Sequence, residues 1–331
     1  MILEDGLSED FSKLQAIFVP HEYRRRNDLL NLGKKLVHYT SVANAISIFR
    51  KNEVWMRNAR CMNDFMEVQH GFQLMQRLLE PPVDNQAEKG LRQLGIAVDE
   101  IFPDTVQETV ELFSGWSQPL IHNTYVTCLS EHDPSEDDYG RLSMWRSYTS
   151  NQVGVGLVIK PLPLYLLAET FGAFSSPVYY VTEGDLHGIF VEIAQNIRAN
   201  RTYLASKGKE ELKGWLFTLL RSIAMCSKHP GFHEEKEWRI MHTRKLDEQG
   251  TLILDVECPN GIAQPVFKIP LKDHEQSGMT GISIPELLDR VIIGPTQFPL
   301  AVYDALVIEL GKAGVADPEK IVTYSAIPLR T

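Results

Sequence analysis

The sequence predicts an α+β fold built on a mixed, mostly antiparallel sheet with helices packed around it. Strand-like runs cluster toward both ends of the chain, helix-patterned stretches lie between them, and regular βα alternation is absent. With 331 residues, 44% of them apolar, the chain is long enough to bury a sizeable core.

Residues 1–34 read as an N-terminal helical segment, and residues 35–331 as a single α+β domain with a helical insertion at about 81–118. "KLVHYT" is a short strand. The helix after it shows Val42, Ala45, Ile46 and Phe49 at helical spacing, with Thr40 or Ser41 as N-cap. "EVWMRN" is the second strand. The next helix carries an apolar stripe from Phe65 to Leu79 and stops at Pro81 and Pro82. "NTYVTCLS" is a strand, and "EHDPSEDDYG" an acidic loop expected to be solvated and mobile. "RLSMWRSYT" is a short helix, followed by strands "QVGVGLVIK" and "PVYYV". Helices follow over 185–206 and 209–227. "KEWRIM", "LILDVE", "PVFKIP" and "RVIIGP" are strands, and a helix over 301–312 with a last strand "KIVTYS" closes the chain.

Composition excludes several classes. The formal charge of −10 argues against a surface built for nucleic acid. No stretch approaches the ~20 consecutive apolar residues of a membrane helix. Cys61, Cys128, Cys226 and Cys258 are scattered and form no C-x-x-C pair, which suits a reducing, cytoplasmic setting. The acidic loop lacks the glycine and glutamate of a calcium loop, "VGVG" lacks the dinucleotide-binding order, and no G-x-S-x-G elbow is present. His229, His233, Glu234 and Glu237 lack the helical spacing of a zinc protease, so no metal is expected.

Several positions could carry chemistry, each with a structural rival. His38 in "HYT" closes a strand at a helix start, where a neutral ring can bond a ligand's hydroxyls. A core histidine tied to backbone is the plainer reading. In "NDFME", Asp64 and Glu67 stand in capping-box relation, and Asn63 is left to hold the preceding loop. Trp145 fits a core role, whereas Tyr148 sits at a helix end where its ring could stack on a flat ligand. If the stretch from Glu235 to His242 is one strand, Glu235, Glu237 and Arg239 share a face opposite Trp238 and Ile240. A Glu237–Arg239 ion pair holding the sheet would explain that face without any function.

Taken in order, "LVHYTS", "EVWMRNARCMNDFMEV", "TYVTCLSE", "SMWRSYTSNQVGVGLVI", "CSKHPGFHEEKEWRIMH", "DRVIIGP" and "VTYSAIPLR" resemble the bacterial family known as domain of unknown function 2971. The resemblance runs from about Leu36 to Arg330, apart from the 81–118 insertion. A second resemblance is to ADP-ribosyltransferases of the diphtheria-toxin and poly(ADP-ribose) polymerase type, which place a His, a Tyr and a Glu on a split sheet. It implies NAD as the substrate and an NAD-cleaving or ADP-ribosyl-transferring enzyme of the kind used as a toxin or phage-defence effector. It assigns His38, with Tyr39 and Thr40, to the adenosine-side ribose, and Glu237 to the nicotinamide ribose. Tyr148 is its stacking ring, with Tyr39, Tyr139 and Tyr179 as alternatives; Arg239 and Lys228 are possible phosphate contacts. The acceptor of the ADP-ribose is open among protein, nucleic acid and small molecule.

A fixed carboxylate in a water-poor cleft stabilises the oxocarbenium-like ribose formed as nicotinamide leaves. His38 and Glu237 are therefore expected to line one pocket. Two other classes compete. One is a non-catalytic ligand- or protein-binding module. The other is a metal-dependent nuclease on Asp64, Glu235 and Lys236, for which Glu234 with Lys236 gives the better spacing.

Overall fold

The computed structural model describes residues 8–61, 65–79, 86–148, 152–161, 168–248, 250–275 and 278–328. The strands are β1 (Lys35–Ser41), β2 (Glu53–Asn58), β3 (Thr124–His132), β4 (Gly154–Ile159), β5 (Phe174–Pro177), β6 (Tyr179–Tyr180), β7 (Ser227–Lys228), β8 (Glu237–Thr243), β9 (Ile253–Glu257), β10 (Gln264–Pro270), β11 (Leu288–Ile293) and β12 (Val322–Tyr324). The chain divides into two compact units, one of residues 1–27, 58–124 and 176–233, the other of residues 28–57, 125–175 and 234–331.

The first unit is mainly helical. The expected insertion forms the helices Gln86–Asp99 and Thr105–His122. They fall in one unit with Glu183–Ala199 and Lys209–Cys226, two helices the sequence reading placed in the main domain. Glycines set the crossings: a β-carbon added at Gly71 would lie 2.2 Å from the Ala224 carbonyl oxygen, and one at Gly90 2.8 Å from that of His187. The 209–226 helix is buried along its last eight residues, from Leu219 to Cys226. Among them Ser222 donates to Glu22, a carboxyl that is 3% exposed, at 2.6 Å.

The second unit carries the sheet, in the order β12-β11-β4-β1-β3-β2-β10-β9, with β8 pairing both β3 and β5. The β1–β3, β1–β4, β4–β11, β2–β10 and β9–β10 pairs are antiparallel and β11–β12 is parallel. Strand alternation sorts the side chains onto two faces. Leu36, Leu129, Leu157, Ile159, Trp238 and Ile240 join one core with residues of the helices Val42–Lys51 and Pro299–Lys312. Burying each such side chain is worth roughly 1.5–3 kcal/mol. Val37, Tyr39, Val158 and Ile292 form the other face with Met144 and Trp145 of the helix Leu142–Tyr148. Ser41, one of the two expected N-caps, accepts from the Asn44 amide at 3.2 Å.

Two expectations fail here for local reasons. β8 does not begin at Glu235. Pro230–Glu235 is a 3-10 turn and Lys236 takes φ +44°, so alternation starts only at Glu237, and Glu235 does not share its strand face. The acidic loop is tied down. Arg141 donates to both carboxylate oxygens of Glu136 (2.9 and 2.8 Å), to Ser130 Oγ (2.6 Å) and to the Glu131 and Glu235 carbonyls (2.7 and 3.0 Å). A capping box between Asp133 and Glu136 closes the turn. These contacts spread over every nitrogen of the guanidinium, which a more flexible ammonium could not match.

Candidate functional site

β1 places His38 where the sheet opens. Its ladder with β3 runs from Lys35↔His132 through Leu36↔Glu131 to Val37↔Ser130 and stops there. Its ladder with β4 continues to Ser41↔Gly154. At the point of parting, His38 Nδ1 lies 3.0 Å from the Cys128 carbonyl oxygen of β3. A carbonyl only accepts, so Nδ1 carries the proton. Burial pushes the imidazole pKa down against the opposing effect of the carbonyl, so the ring is neutral at pH 7 and its Nε2 is an acceptor. Because the ring reaches a main-chain atom of the neighbouring strand, it occupies the gap between strands. Its carbon edge also lines an apolar cavity of about 60 Å³, together with Leu129, Leu157 and Ile240.

Glu237 points the other way. On β8, Trp238 and Ile240 face the cavity-side core, so Glu237 and Arg239 project to the opposite side, that of Val37 and Tyr39. Arg239 Nε donates to Glu237 Oε1 at 2.9 Å and a second nitrogen to Oε2 at 3.4 Å; both side chains are 5% exposed. The structure therefore corrects the expectation of one pocket: His38 lines the cavity and Glu237 does not. The ion pair proposed as the plainer reading is present.

The remaining candidates separate. Tyr39 is buried, its hydroxyl accepts from the Arg141 amide at 3.0 Å, and burial pushes its pKa up to about 12. Thr40 is buried and accepts from Asn44 at 3.1 Å. Trp145 is core: it meets Tyr39 edge-on at 4.8 Å and donates to the Tyr139 carbonyl at 2.8 Å. Glycines make room for its indole. A β-carbon at Gly140 would lie 2.5 Å from it and one at Gly294 2.9 Å. Tyr148, at the helix end, keeps an exposed ring, as does Tyr139. Tyr179 and Lys228 are buried in the helical unit, where Lys228 stands over the Phe232 ring at 5.4 Å. Asn63, Asp64 and the side chain of Glu67 lie outside the described residues. Arg141 escaped the sequence reading, its only signal being a lone basic residue beside the acidic loop.

Among the described residues, no group of three or more His, Cys, Asp or Glu is gathered as for a metal ion, and no helix is long and apolar enough to cross a membrane. No curated protein and no solved structure matches the chain. Across residues 144–240 the chain is similar to the family described as "Protein of unknown function (DUF2971)", a stretch that takes in Trp145, Tyr148, Glu237 and Arg239 and stops short of His38.

Proposed function

We propose that the α+β unit is an ADP-ribosyltransferase-like split-sheet domain that binds NAD and breaks its nicotinamide–ribose bond. One observation carries the reading: β1 leaves β3 directly after Val37, and a neutral imidazole with its Nδ1 committed to Cys128 stands in the opening. Nε2 is then an acceptor for a ribose hydroxyl. The carboxylate of Glu237, held in place by Arg239, supplies negative charge on the side of Val37 and Tyr39.

The chemistry asks little else of the protein. The C1′–N bond breaks, nicotinamide leaves with the bonding pair as a neutral base, and positive charge develops on the ribose. Glu237 stabilises that charge until water or an acceptor nucleophile adds to C1′ and gives up its proton. Tyr148 offers an exposed ring for stacking.

Binding is tested first, by titrating NAD while following the His38 ring nitrogens by NMR. Saturable displacement of the Nε2 resonance, lost in Tyr148→Ala or weakened by it, is the expected result. Unmoved His38 resonances at millimolar NAD, with an unmoved melting temperature, would overturn the reading and leave a non-catalytic binding module.

A further inference from the structure

We infer that the cavity behind His38 is a separate binding site for a short hydrocarbon group, the alkyl end of a small neutral molecule. This does not depend on NAD cleavage. The cavity measures about 60 Å³ and lies wholly within the α+β unit. Its walls come from seven strands (β1, β2, β3, β4, β8, β10 and β11) and from the helices Val42–Lys51 and Ile284–Leu287, and among the residues lining it only His38 and Thr127 are polar; none is charged at neutral pH. A wall of that kind excludes ions and holds no water firmly, since water needs two to four polar partners.

Size narrows the ligand. An engineered apolar cavity of roughly 150 Å³ holds benzene. A space of less than half that volume takes about two to four carbons of an unbranched chain. Native cores rarely leave a void larger than one water molecule, because each unfilled wall atom forfeits dispersion contacts. An occupant restores them.

Access is the observation that separates a site from a sealed defect. Nearly all the lining residues are buried, Leu157, Ile269 and Leu287 among them. His38, Ile48 and Val54 are only half-buried, and we place the entry beside them. A chain entering there passes the carbon edge of the imidazole. Filling the cavity puts hydrocarbon against one side of the ring, so His38 reports occupancy directly.

The test uses the wild-type protein, xenon, and the n-alkanols from ethanol to octanol, followed through the His38 ring and the methyl groups of Leu129, Leu157 and Ile240. Xenon should bind. The alkanols should shift the same resonances saturably, with affinity rising about fourfold per added carbon up to about four carbons and levelling beyond, where the chain leaves the cavity. Leu129→Phe should abolish both responses; if it fails to fold, Ile269→Phe fills the cavity from another wall. Xenon binding without any saturable alkanol response would show a sealed packing defect and overturn the inference. So would an affinity that climbs evenly to octanol, which is the mark of non-specific surface partitioning.

Discussion

Glu22→Gln should expose a pH dependence that is masked in the wild-type protein. Glu22 lies in the helical unit, 3% exposed, accepting from Ser176 Oγ at 2.9 Å and Ser222 Oγ at 2.6 Å. Burial pushes its carboxyl up to about 7, outweighing the two serine bonds and the positive charges of Arg221 and Arg26. Tyr179, buried beside it, is likewise pushed up, by burial first and by the Glu22 charge second. A carboxyl raised in the folded state stabilises fully below its unfolded value, and that stability is lost as pH climbs through about 7. The gap between about 7 and the ordinary glutamate value corresponds to about 3 kcal/mol.

His21 works in the opposite direction. Burial pushes it down to about 4, so its contribution is complete above the ordinary histidine value and is lost as pH falls toward 4. The two slopes oppose each other over pH 4.5–6.5, so each masks part of the other in the wild type. Glutamine keeps an accepting oxygen for both serines and does not titrate. Urea unfolding of variant and wild type from pH 4 to 8 should give a stability difference that rises in the variant's favour by about 3 kcal/mol between the unfolded and folded values of Glu22. A flat difference, or one that falls with pH, would mean that Arg221 and Arg26 keep the carboxylate ionised and that the burial argument is wrong.

Three further outcomes follow from the α+β unit. Gly140→Ala puts a β-carbon 2.5 Å from the Trp145 indole at a residue with φ +63°, and should cost on the order of 1–3 kcal/mol. Gly33→Ala, at φ +61° with open space around it, isolates the backbone part; equal losses would mean that Trp145 does not need the room. Arg141→Lys leaves several acceptors of the loop without a donor, at a cost of about 2 kcal/mol, and should speed protease cleavage within 131–140. Wild-type cleavage kinetics would show that something else orders the loop. Arg239→Ala takes the guanidinium from a buried carboxylate and should cost roughly 3–5 kcal/mol. A melting temperature like the wild type's would contradict the ion pair's structural role.

Much of the fold is legible in the sequence because local pattern and tertiary burial agree. "EVWMRN" is β2 residue for residue, the apolar stripe from Phe65 to Leu79 falls on the helix Phe65–Leu79, and Ser41 caps as its position before Val42 suggests. The apolar character of Trp238 and Ile240 placed them in the core, and the pleat then set Glu237 and Arg239 on the other side. What the pattern could not show is where alternation begins. Lys236 adopts positive φ although nothing in "HEEKEW" announces it, and that single residue removes Glu235 from the strand. Long-range contacts were equally silent. Arg141 orders an acidic loop through main-chain carbonyls, which have no sequence signature. The opening of the sheet at His38 is a property of two ladders ending at different residues, and neither strand alone records it.

The proposed activity is tested most directly by measuring nicotinamide release from NAD by the purified protein, with and without cell lysate as a source of acceptor, beside Glu237→Gln. That change removes the carboxylate charge proposed to face the developing ribosyl cation and leaves the buried Arg239 an accepting oxygen, so melting temperatures are compared beside release. Release by the wild type, reduced about 10²-fold or more in Glu237→Gln while NAD still binds, is the predicted result. No release under either condition, or equal release by both proteins, would contradict it.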